Sequence, residues 1–284
     1  MFELLAKLLP EDLSEGGIST SPLSYRHWWE SPEELQTATH TATINMLRVA
    51  EKLNQLFEET GKYLHLDIEP EPDGILDNGQ DFLAWYSQTL LPLSVVYFGT
   101  KGIDATTAQN IVYRHIQLCY DVCHFAVSYE EPADFLATLQ AQGIQVGKIQ
   151  ISAALQLDFD EQSTEKLALL RQYDEPTYLH QVVAQKADGS LQKFADLGLA
   201  LATTEQESYQ QWRIHYHVPL FTESYGLLAS TRKEIEKTIA LQKAQPFTQR
   251  LELETYTWGV LPASVQIPLD DSISREIAWV QSLL

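Results

Sequence analysis

The chain has 284 residues, of which 44% are hydrophobic, so it is long enough for one large domain and too apolar for a disordered protein. Its 39 acidic and 19 basic residues give a net charge of −20, which disfavours binding to nucleic acids and to anionic membrane surfaces. No apolar run approaches the roughly 18 residues that a membrane-spanning helix needs.

The first segment, MFELLAKLLPEDLSEGG, predicts a short amphipathic helix rather than a signal peptide, because acidic residues come early and no sustained apolar core follows. A strand is predicted in GGISTSPLSYR. A long helix is predicted from about Pro32 to Thr60, with Ser31 as its N-cap and Glu34 completing a capping box.

Cys119 and Cys123 lie too close together to cross-link a fold of this size, which favours a reducing, cytoplasmic location.

Strands and helices alternate along the rest of the chain. The further strands are predicted at YLHLDIE, IQLCYD, VGKIQIS, WRIHYHV and RLELETYTWGV, of which RLELET is the part assigned to the barrel. Helices are predicted at about 78–91, 106–115, 131–143, 160–173, 229–244 and 271–284. Two β-rich runs on either side of Asp188-Gly189 predict an inserted β-hairpin near 177–200. This alternation predicts parallel βαβ units in a single α/β domain over 1–284, a (β/α) TIM barrel of which six of the eight strands are recognisable.

Five of these strands carry polar side chains on one face. In YLHLDIE, for example, His65, Asp67 and Glu69 lie opposite three aliphatic residues, and the same alternation recurs at Cys119/Asp121, Lys148/Gln150/Ser152, Arg213/His215/His217 and Glu252/Glu254. In a barrel the polar face points inward, where unpaired charges cost several kcal/mol per ion. Salt bridges can neutralise part of this charge, but a divalent cation fits the oxygen and imidazole donors better.

The polar residues at or just past the strand ends form a candidate metal site: Glu69, Asp121, His124, Gln150, His215, His217 and Glu254. Each has a simpler interpretation alone. A strand-end Glu often anchors a loop, Asp121 and His124 can be a hydrogen-bonded pair, and an HxH strand can belong to a polar core. Their combination favours a metal, because barrel enzymes assemble their sites at the C-terminal ends of the strands.

The order of these motifs resembles the xylose-isomerase-like TIM barrels. HLDIEPEPDG, LCYDVCHFAV, VGKIQISAAL, RIHYHVPLF and LETYTWGVLP resemble the EboE branch in particular, from about Ser19 to Pro262. That branch is associated with the traffic of a small metabolite. The resemblance implies a shared metal site at Glu69, Asp121, Gln150 and Glu254, and a second-metal group at His124, His215 and His217. Gln150 stands where relatives carry a histidine, which favours Mn, Mg or Co over Zn.

The resemblance also implies that the first two βα units of the family are absent from this chain, so the barrel is incomplete at its N-terminus. Open edges are then expected beside GGIST and RLELET. Two alternatives stay open: the chain is a shortened, inactive form, or its edges are covered by a second copy or a partner chain.

For the function, the resemblance implies a divalent-metal-dependent isomerase or epimerase that acts on a sugar or sugar phosphate through an enediolate. Glu69 and Glu254 would be the acid/base pair, and His124, Arg213 and Lys148 would contact the substrate. Two alternatives stay open. One is metal-dependent hydrolysis of a small phosphoester, which uses the three histidines as well as the carboxylates. The other is a non-catalytic subunit that binds a metabolite.

Overall fold

Helices and strands alternate along the chain, and the α/β class predicted from the sequence is confirmed. The computed structural model describes residues 1–204, 207–255, 257–263 and 266–284. The strands of this part are β1 (Glu15–Thr20), β2 (Tyr63–Ile68), β3 (Ile116–Asp121), β4 (Val146–Ile151), β5 (Ala154–Asp158), β6 (Val182–Gln185), β7 (Leu191–Phe194), β8 (Gln211–His217), β9 (Ser224–Tyr225), β10 (Leu228–Ser230) and β11 (Leu251–Leu253).

The helices of the same part are α1 (Phe2–Leu8), α2 (Pro32–Thr60), α3 (Gly79–Trp85), α4 (Leu91–Gly99), α5 (Ala105–His115), α6 (Val122–Val127), α7 (Pro132–Ala141), α8 (Ser163–Leu170), α9 (Leu197–Leu201), α10 (Arg232–Ala244) and α11 (Leu269–Leu283). A π-helical turn, Tyr86–Leu90, joins α3 to α4. No helix of the described chain is both long enough and apolar enough to cross a lipid bilayer.

The chain divides into two compact units that are interleaved in sequence. The first unit consists of Met1–Tyr120, Asp134–Ile149 and Phe247–Arg250, and the second of Asp121–Ala133, Gln150–Pro246 and Leu251–Leu284. Each unit is therefore discontinuous, unlike two domains joined by a single linker. The assignment of 1–284 to a single domain stays a prediction.

Parallel pairing builds the first unit. β1 pairs with β2 from Glu15 opposite Tyr63 to Thr20 opposite Ile68, and β2 pairs with β3 from Leu66 opposite Ile116. The connection between β1 and β2 is α2, the long helix that a parallel crossover requires.

Helix α2 has the ends that its sequence predicts. Ser31 accepts a hydrogen bond from the backbone N–H of Glu34 at 3.2 Å, and Pro32 occupies the first turn, where its missing N–H is harmless. The Glu34 carboxylate accepts from the N–H of Glu30, one residue before the cap. The helix ends at Gly61, whose φ of +69° a glycine adopts without strain.

The hydrogen-bonded order of the parallel sheet is β1-β2-β3-β4-β11. In the first unit, the N–H of Ile149 donates to the carbonyl of Arg250, and in the second unit the N–H of Glu254 donates to the carbonyl of Ile151. The order is compatible with part of a TIM barrel and has β1 and β11 as its outer strands, the two that were expected at open edges. Their coverage by another chain stays a prediction.

One strand assigned to this sheet from the sequence is wrong. β8, which contains WRIHYHV, is antiparallel to both β5 and β6, so the described residues contribute five strands to the parallel sheet instead of six. Alternation of polar and apolar residues shows which side chains share a face of a strand. It carries no information on the direction of the neighbouring strand, which is why this assignment failed.

The second unit contains an antiparallel sheet in the order β7-β6-β8-β5-β10-β9. The predicted hairpin is confirmed as β6 and β7, which pair from Val182 opposite Phe194 to Gln185 opposite Leu191. Gly189 in its turn has a φ of +83°, and Asp188 accepts from the N–H of Ser190. Because β6 also pairs with β8, the hairpin extends the sheet that carries the HxH motif.

Other boundaries differ from the predicted ones. The helix predicted from Ala229 begins at Arg232, because 228–230 form β10. The strand predicted through LELETYTWGV ends at Leu253, and Thr257–Gly259 form a 3-10 turn. Tyr256, within that predicted strand, lies outside the described residues.

Candidate metal centre

The polar face of β2 in the first unit contacts ionisable side chains, although the buried Asp67 Oδ2 has no hydrogen-bond partner within the described residues. His65 and Asp67 are fully buried, and His65 Nδ1 lies 2.5 Å from Asp67 Oδ1. Arg250 forms an ion pair with Glu15 at 2.6 Å, and Glu15 lies 3.4 Å from His65 Nε2. These four side chains, Glu15, His65, Asp67 and Arg250, are called the ion-pair network below.

The Asp67 carboxylate fills the space beside two glycines. A Cβ built on Gly17 or on Gly147 would overlap this carboxylate, so neither position has room for a side chain. Burial raises the pKa of Asp67, and the hydrogen bond with His65 opposes that rise. One residue predicted as a metal ligand, Glu69, and one predicted to contact the substrate, Lys148, also lie in this unit. Glu69 follows β2 and donates its N–H to the carbonyl of Thr20, and Lys148 Nζ lies 3.4 Å from Ser19 Oγ.

The second unit brings together a different set of predicted site residues, beginning with Asp121 and His124. Asp121 caps α6, and its Oδ1 accepts from the N–H of His124 at 2.9 Å and from Ser152 Oγ at 2.8 Å. A side chain that caps a helix reaches the N–H three residues on, so the DxxH spacing fixes His124 beside Asp121. The carboxylate is completely buried.

His215 and His217 alternate along β8 and face His124. The Nε2 atoms of His124 and His215 are 3.0 Å apart, and the ring centroids of His124 and His217 are 5.7 Å apart. All three imidazoles are buried. The structure brings Asp121, His124 and His217 together and places His215 beside His124, while their role in binding a metal stays a prediction.

The tautomers of two of these rings are set by oxygen acceptors. His215 Nδ1 lies 2.9 Å from Gln181 Oε1, and His217 Nδ1 lies 3.2 Å from the backbone carbonyl of Glu254. Since both acceptors lack a proton, each Nδ1 carries the hydrogen and each Nε2 keeps its lone pair. A metal-binding histidine has the same arrangement, with its second nitrogen donating to a carbonyl or carboxylate.

Both rings are neutral at neutral pH. Burial lowers the pKa of His215 well below its usual value, and the neighbouring His124 adds to the effect. Burial also lowers the pKa of His217 to about 4, against the attraction of the Asp121 carboxylate. Only a neutral imidazole binds a metal, so both rings are in the form that coordination requires.

A cation fits this set of donors. Within the described chain, the buried Asp121 Oδ2 has no hydrogen-bond partner, which costs about 1–3 kcal/mol or more for a charged group. The ligand atoms of Asp121, His124 and His217 lie within 4.8 Å of one another, and so do those of Cys123, His215 and His217. These groupings of carboxylate, imidazole and thiol donors can hold a metal ion. We call the side chains of Asp121, Cys123, His124, His215 and His217 the histidine centre.

Three other predicted site residues belong to the second unit: Gln150, Glu254 and Arg213. Gln150 is buried near the end of β4, two residues before Ser152. A carboxylate oxygen of Glu254 lies within 4.8 Å of one of Asp121. Arg213 shares the β8 face with His215, but its guanidinium donates to the carbonyl of Ala126 and stacks on Tyr129, 4.2 Å from the ring centroid.

Three residues in or beside the centre were missed by the sequence analysis. Ser152 stood in the polar alternation of VGKIQIS but was given no role, and its hydroxyl orients Asp121. Cys123 was judged too close to Cys119 for a cross-link of this fold and was given no role. Gln181 precedes β6 of the hairpin, and only the pairing of β6 with β8 places it beside His215. A signal was present for Ser152 alone, since the other two contacts depend on tertiary structure.

No protein-family model, curated protein or solved structure matches this chain, so the resemblance to the EboE branch stays a prediction.

Proposed function

We propose that this chain is a cytoplasmic, divalent-metal-dependent phosphoesterase that acts on a small metabolite, in a pathway of the EboE type. The observation that supports it is the grouping of His124 and His217 with Asp121, with His215 Nε2 3.0 Å from His124 Nε2 and with oxygen acceptors at the Nδ1 atoms of His215 and His217. Of the reactions that the sequence suggested, phosphoester hydrolysis is the one that uses all three histidines.

The protein groups around the centre have distinct tasks. Ser152 holds Asp121 Oδ1, which leaves Oδ2 for a cation. Gln181 and the Glu254 carbonyl fix the rings of His215 and His217. His124 is positioned by the Asp121 cap. When bound, a divalent ion supplies Lewis acidity towards a phosphoryl oxygen and lowers the pKa of water.

The size of the substrate follows from charge. A net charge of −20 repels a polyanion such as DNA, and this repulsion grows with the number of phosphates. A metabolite with one or two phosphates brings few negative charges, which a divalent cation at the centre offsets. A small phosphorylated metabolite is therefore the substrate class that we propose.

A second function, isomerisation or epimerisation of a sugar or sugar phosphate, is favoured by one further contact. Carboxylate oxygens of Asp121 and Glu254 lie within 4.8 Å of each other, which supports a role for Glu254 in moving a proton beside an ion held by Asp121. This reaction also assigns acid/base chemistry to Glu69 and substrate contacts to Lys148 and Arg213, which stay predictions.

Metal binding is the first test. We would titrate the metal-free protein with Zn²⁺, Co²⁺ and Mn²⁺ by calorimetry and compare it with His124→Ala/His217→Ala. The matched control is His27→Ala/His40→Ala, which removes two exposed histidines. We expect at least one equivalent in the native and control proteins and a loss on the order of 100-fold in affinity in the first variant. Equal binding by both variants would remove the histidine centre as the site.

The second test separates the two reactions in one sample. The metal-loaded protein is incubated with fructose 6-phosphate in D₂O and followed by ³¹P and ¹H NMR. Hydrolysis releases inorganic phosphate without incorporation of deuterium, whereas isomerisation or epimerisation incorporates deuterium next to the carbonyl and leaves the phosphoester intact. If this sugar phosphate is inert, bis(p-nitrophenyl) phosphate is the generic probe for hydrolysis. A protein that binds metal but turns over neither compound fits the binding-subunit alternative.

A further inference from the structure

The side chain of Cys123 belongs to the same cluster as the histidines. It lies in the first turn of α6, between Asp121 and His124, and is completely buried. Its backbone N–H donates to Ser152 Oγ at 2.8 Å, and the same hydroxyl donates to Asp121 Oδ1 at 2.8 Å. One hydroxyl therefore positions both the carboxylate and the backbone that carries the thiol.

The thiol has two different surroundings. On one side Cys123 packs against Val127, Ala154 and Val183, as an ordinary core residue would. On the other side its Sγ lies within 4.8 Å of ring nitrogens of His215 and His217. Two ligands of one tetrahedral ion are separated by about 3.5 Å at usual Zn–N and Zn–S bond lengths, so a shift of an ångström or so brings the three donors to one ion.

The two groupings in the centre share a ligand. His217 belongs with Asp121 and His124 in one grouping and with Cys123 and His215 in the other. A single Nε2 lone pair binds one ion, so the two groupings compete for His217. They also differ in chemistry, since one offers a carboxylate oxygen with two imidazoles, and the other a sulfur with two imidazoles.

We propose that Cys123, His215 and His217 form a second, sulfur-containing metal position, so that the kind of ion selects which grouping His217 joins. Thiolate ligands favour Zn²⁺ and Co²⁺, whereas carboxylates suit Mn²⁺ and Mg²⁺. The thiol gives its proton to the solvent when the metal–sulfur bond forms. This inference rests on the proposed metal binding and adds the identity of the ion to it. It also reverses the preference for Mn or Mg that Gln150 suggested.

Cobalt spectroscopy of the full-length protein tests the position. A Co²⁺–thiolate bond gives an intense near-ultraviolet charge-transfer band, which oxygen and nitrogen ligands do not give. We expect this band in the native protein and in Cys119→Ser, the matched control for the other buried cysteine. We expect its loss in Cys123→Ser and in Cys123→Ala, with circular dichroism used to confirm that at least one of the two is folded.

Competition between ions supplies the second readout. Cys123→Ser should lower Zn²⁺ affinity on the order of tenfold or more while leaving Mn²⁺ affinity within about twofold, because Mn²⁺ does not use the sulfur. Stoichiometric cobalt without the band in the native protein, or a band that survives in Cys123→Ser, would overturn this inference alone. A native protein that binds no cobalt, zinc or manganese would overturn the proposed function together with it.

Discussion

The ion-pair network of the first unit and the histidine centre of the second are both built from polar side chains on strand faces, and they satisfy their charges differently. In the network, His65 contacts Asp67 at 2.5 Å and Arg250 contacts Glu15 at 2.6 Å. In the centre, Asp121 accepts only from a hydroxyl and a backbone N–H, and no lysine or arginine of the described chain pairs with it. Asp67 Oδ2 and Asp121 Oδ2 both lack a hydrogen-bond partner in the described part of the chain, so the two sets differ in the basic groups beside their carboxylates.

This difference shows why a polar strand face is not by itself a metal site. Both sets gave the same alternation in the sequence. They are distinguished by whether the structure supplies a basic side chain to the carboxylate, and by whether each imidazole has an acid or a carbonyl beside it.

The largest expected effect comes from crowding the network. Gly147→Ala places a methyl group against the buried Asp67 carboxylate and should lower the free energy of unfolding by about 3 kcal/mol or more. The control is Gly99→Ala, since Gly99 has no neighbour within 4 Å of a new Cβ and lies in a helix. Urea denaturation measures both. Equal stabilities of the two variants would show that the space beside Asp67 is not tight.

A reciprocal pair of substitutions tests the comparison directly. Asp67→Asn removes the charge that His65 contacts and should cost about 3 kcal/mol of stability while Mn²⁺ affinity stays unchanged. Asp121→Asn should lower Mn²⁺ affinity on the order of 100-fold, because Mn²⁺ uses the carboxylate, while the metal-free protein keeps its stability, because asparagine retains the helix cap. Urea denaturation and calorimetry would be run on both variants. A loss of metal affinity in Asp67→Asn together with a loss of stability in Asp121→Asn would contradict the roles given to the two regions.

Another buried histidine, His115, gives a pH dependence outside both regions. Burial lowers its pKa from 6.5 to about 4, although its Nδ1 donates to the carbonyl of Leu64. The folded ring stays neutral while the unfolded one is protonated, so its contribution is complete above pH 6.5 and is lost as the pH falls towards 4. At about 1.4 kcal/mol per pKa unit, the loss is about 3 kcal/mol or less.

The measurement for His115 is the free energy of unfolding between pH 7 and pH 4. The native protein and the exposed-site control His40→Gln should lose stability with the same slope, and His115→Gln should lose less. Parallel curves for all three proteins would exclude His115 as a source of the acid sensitivity.

The smallest effect concerns the orientation of a ring in the centre. Gln181→Leu removes the acceptor from His215 Nδ1 and frees the ring to change tautomer, so Zn²⁺ affinity should fall about 10- to 100-fold. Gln185→Leu, further along β6, is the control and should leave the affinity unchanged. Calorimetric titration with Zn²⁺ measures the affinity of both variants. An unchanged affinity in Gln181→Leu would mean that the His215 ring is held without its hydrogen bond to Gln181.

Much of the centre was predictable because its signals are local. The DxxH spacing sets a cap and a ligand within one turn, and the HxH spacing puts two rings on one strand face, whatever the sheet around them. The boundaries of α2 were predictable for the same reason, since Ser31 and Gly61 act within a few residues.

The remaining features depend on distant segments. Arg250 neutralises Glu15 across 235 residues, and nothing in the polar alternation of β1 or β2 indicates that partner. The direction of β8 is set by β5 and β6, so it was assigned to the wrong sheet. Gln181 reaches His215 only through that same pairing.

The interleaving of the two units has a consequence for synthesis on the ribosome. The first unit needs Phe247–Arg250, and Arg250 completes the ion pair with Glu15. Until those residues leave the ribosome, the nascent chain exposes the acidic partner of an unfinished network together with the apolar faces of its early strands. The first unit is therefore completed only after residues 121–133 and 150–246 of the second unit have emerged, so its tertiary structure closes late in synthesis.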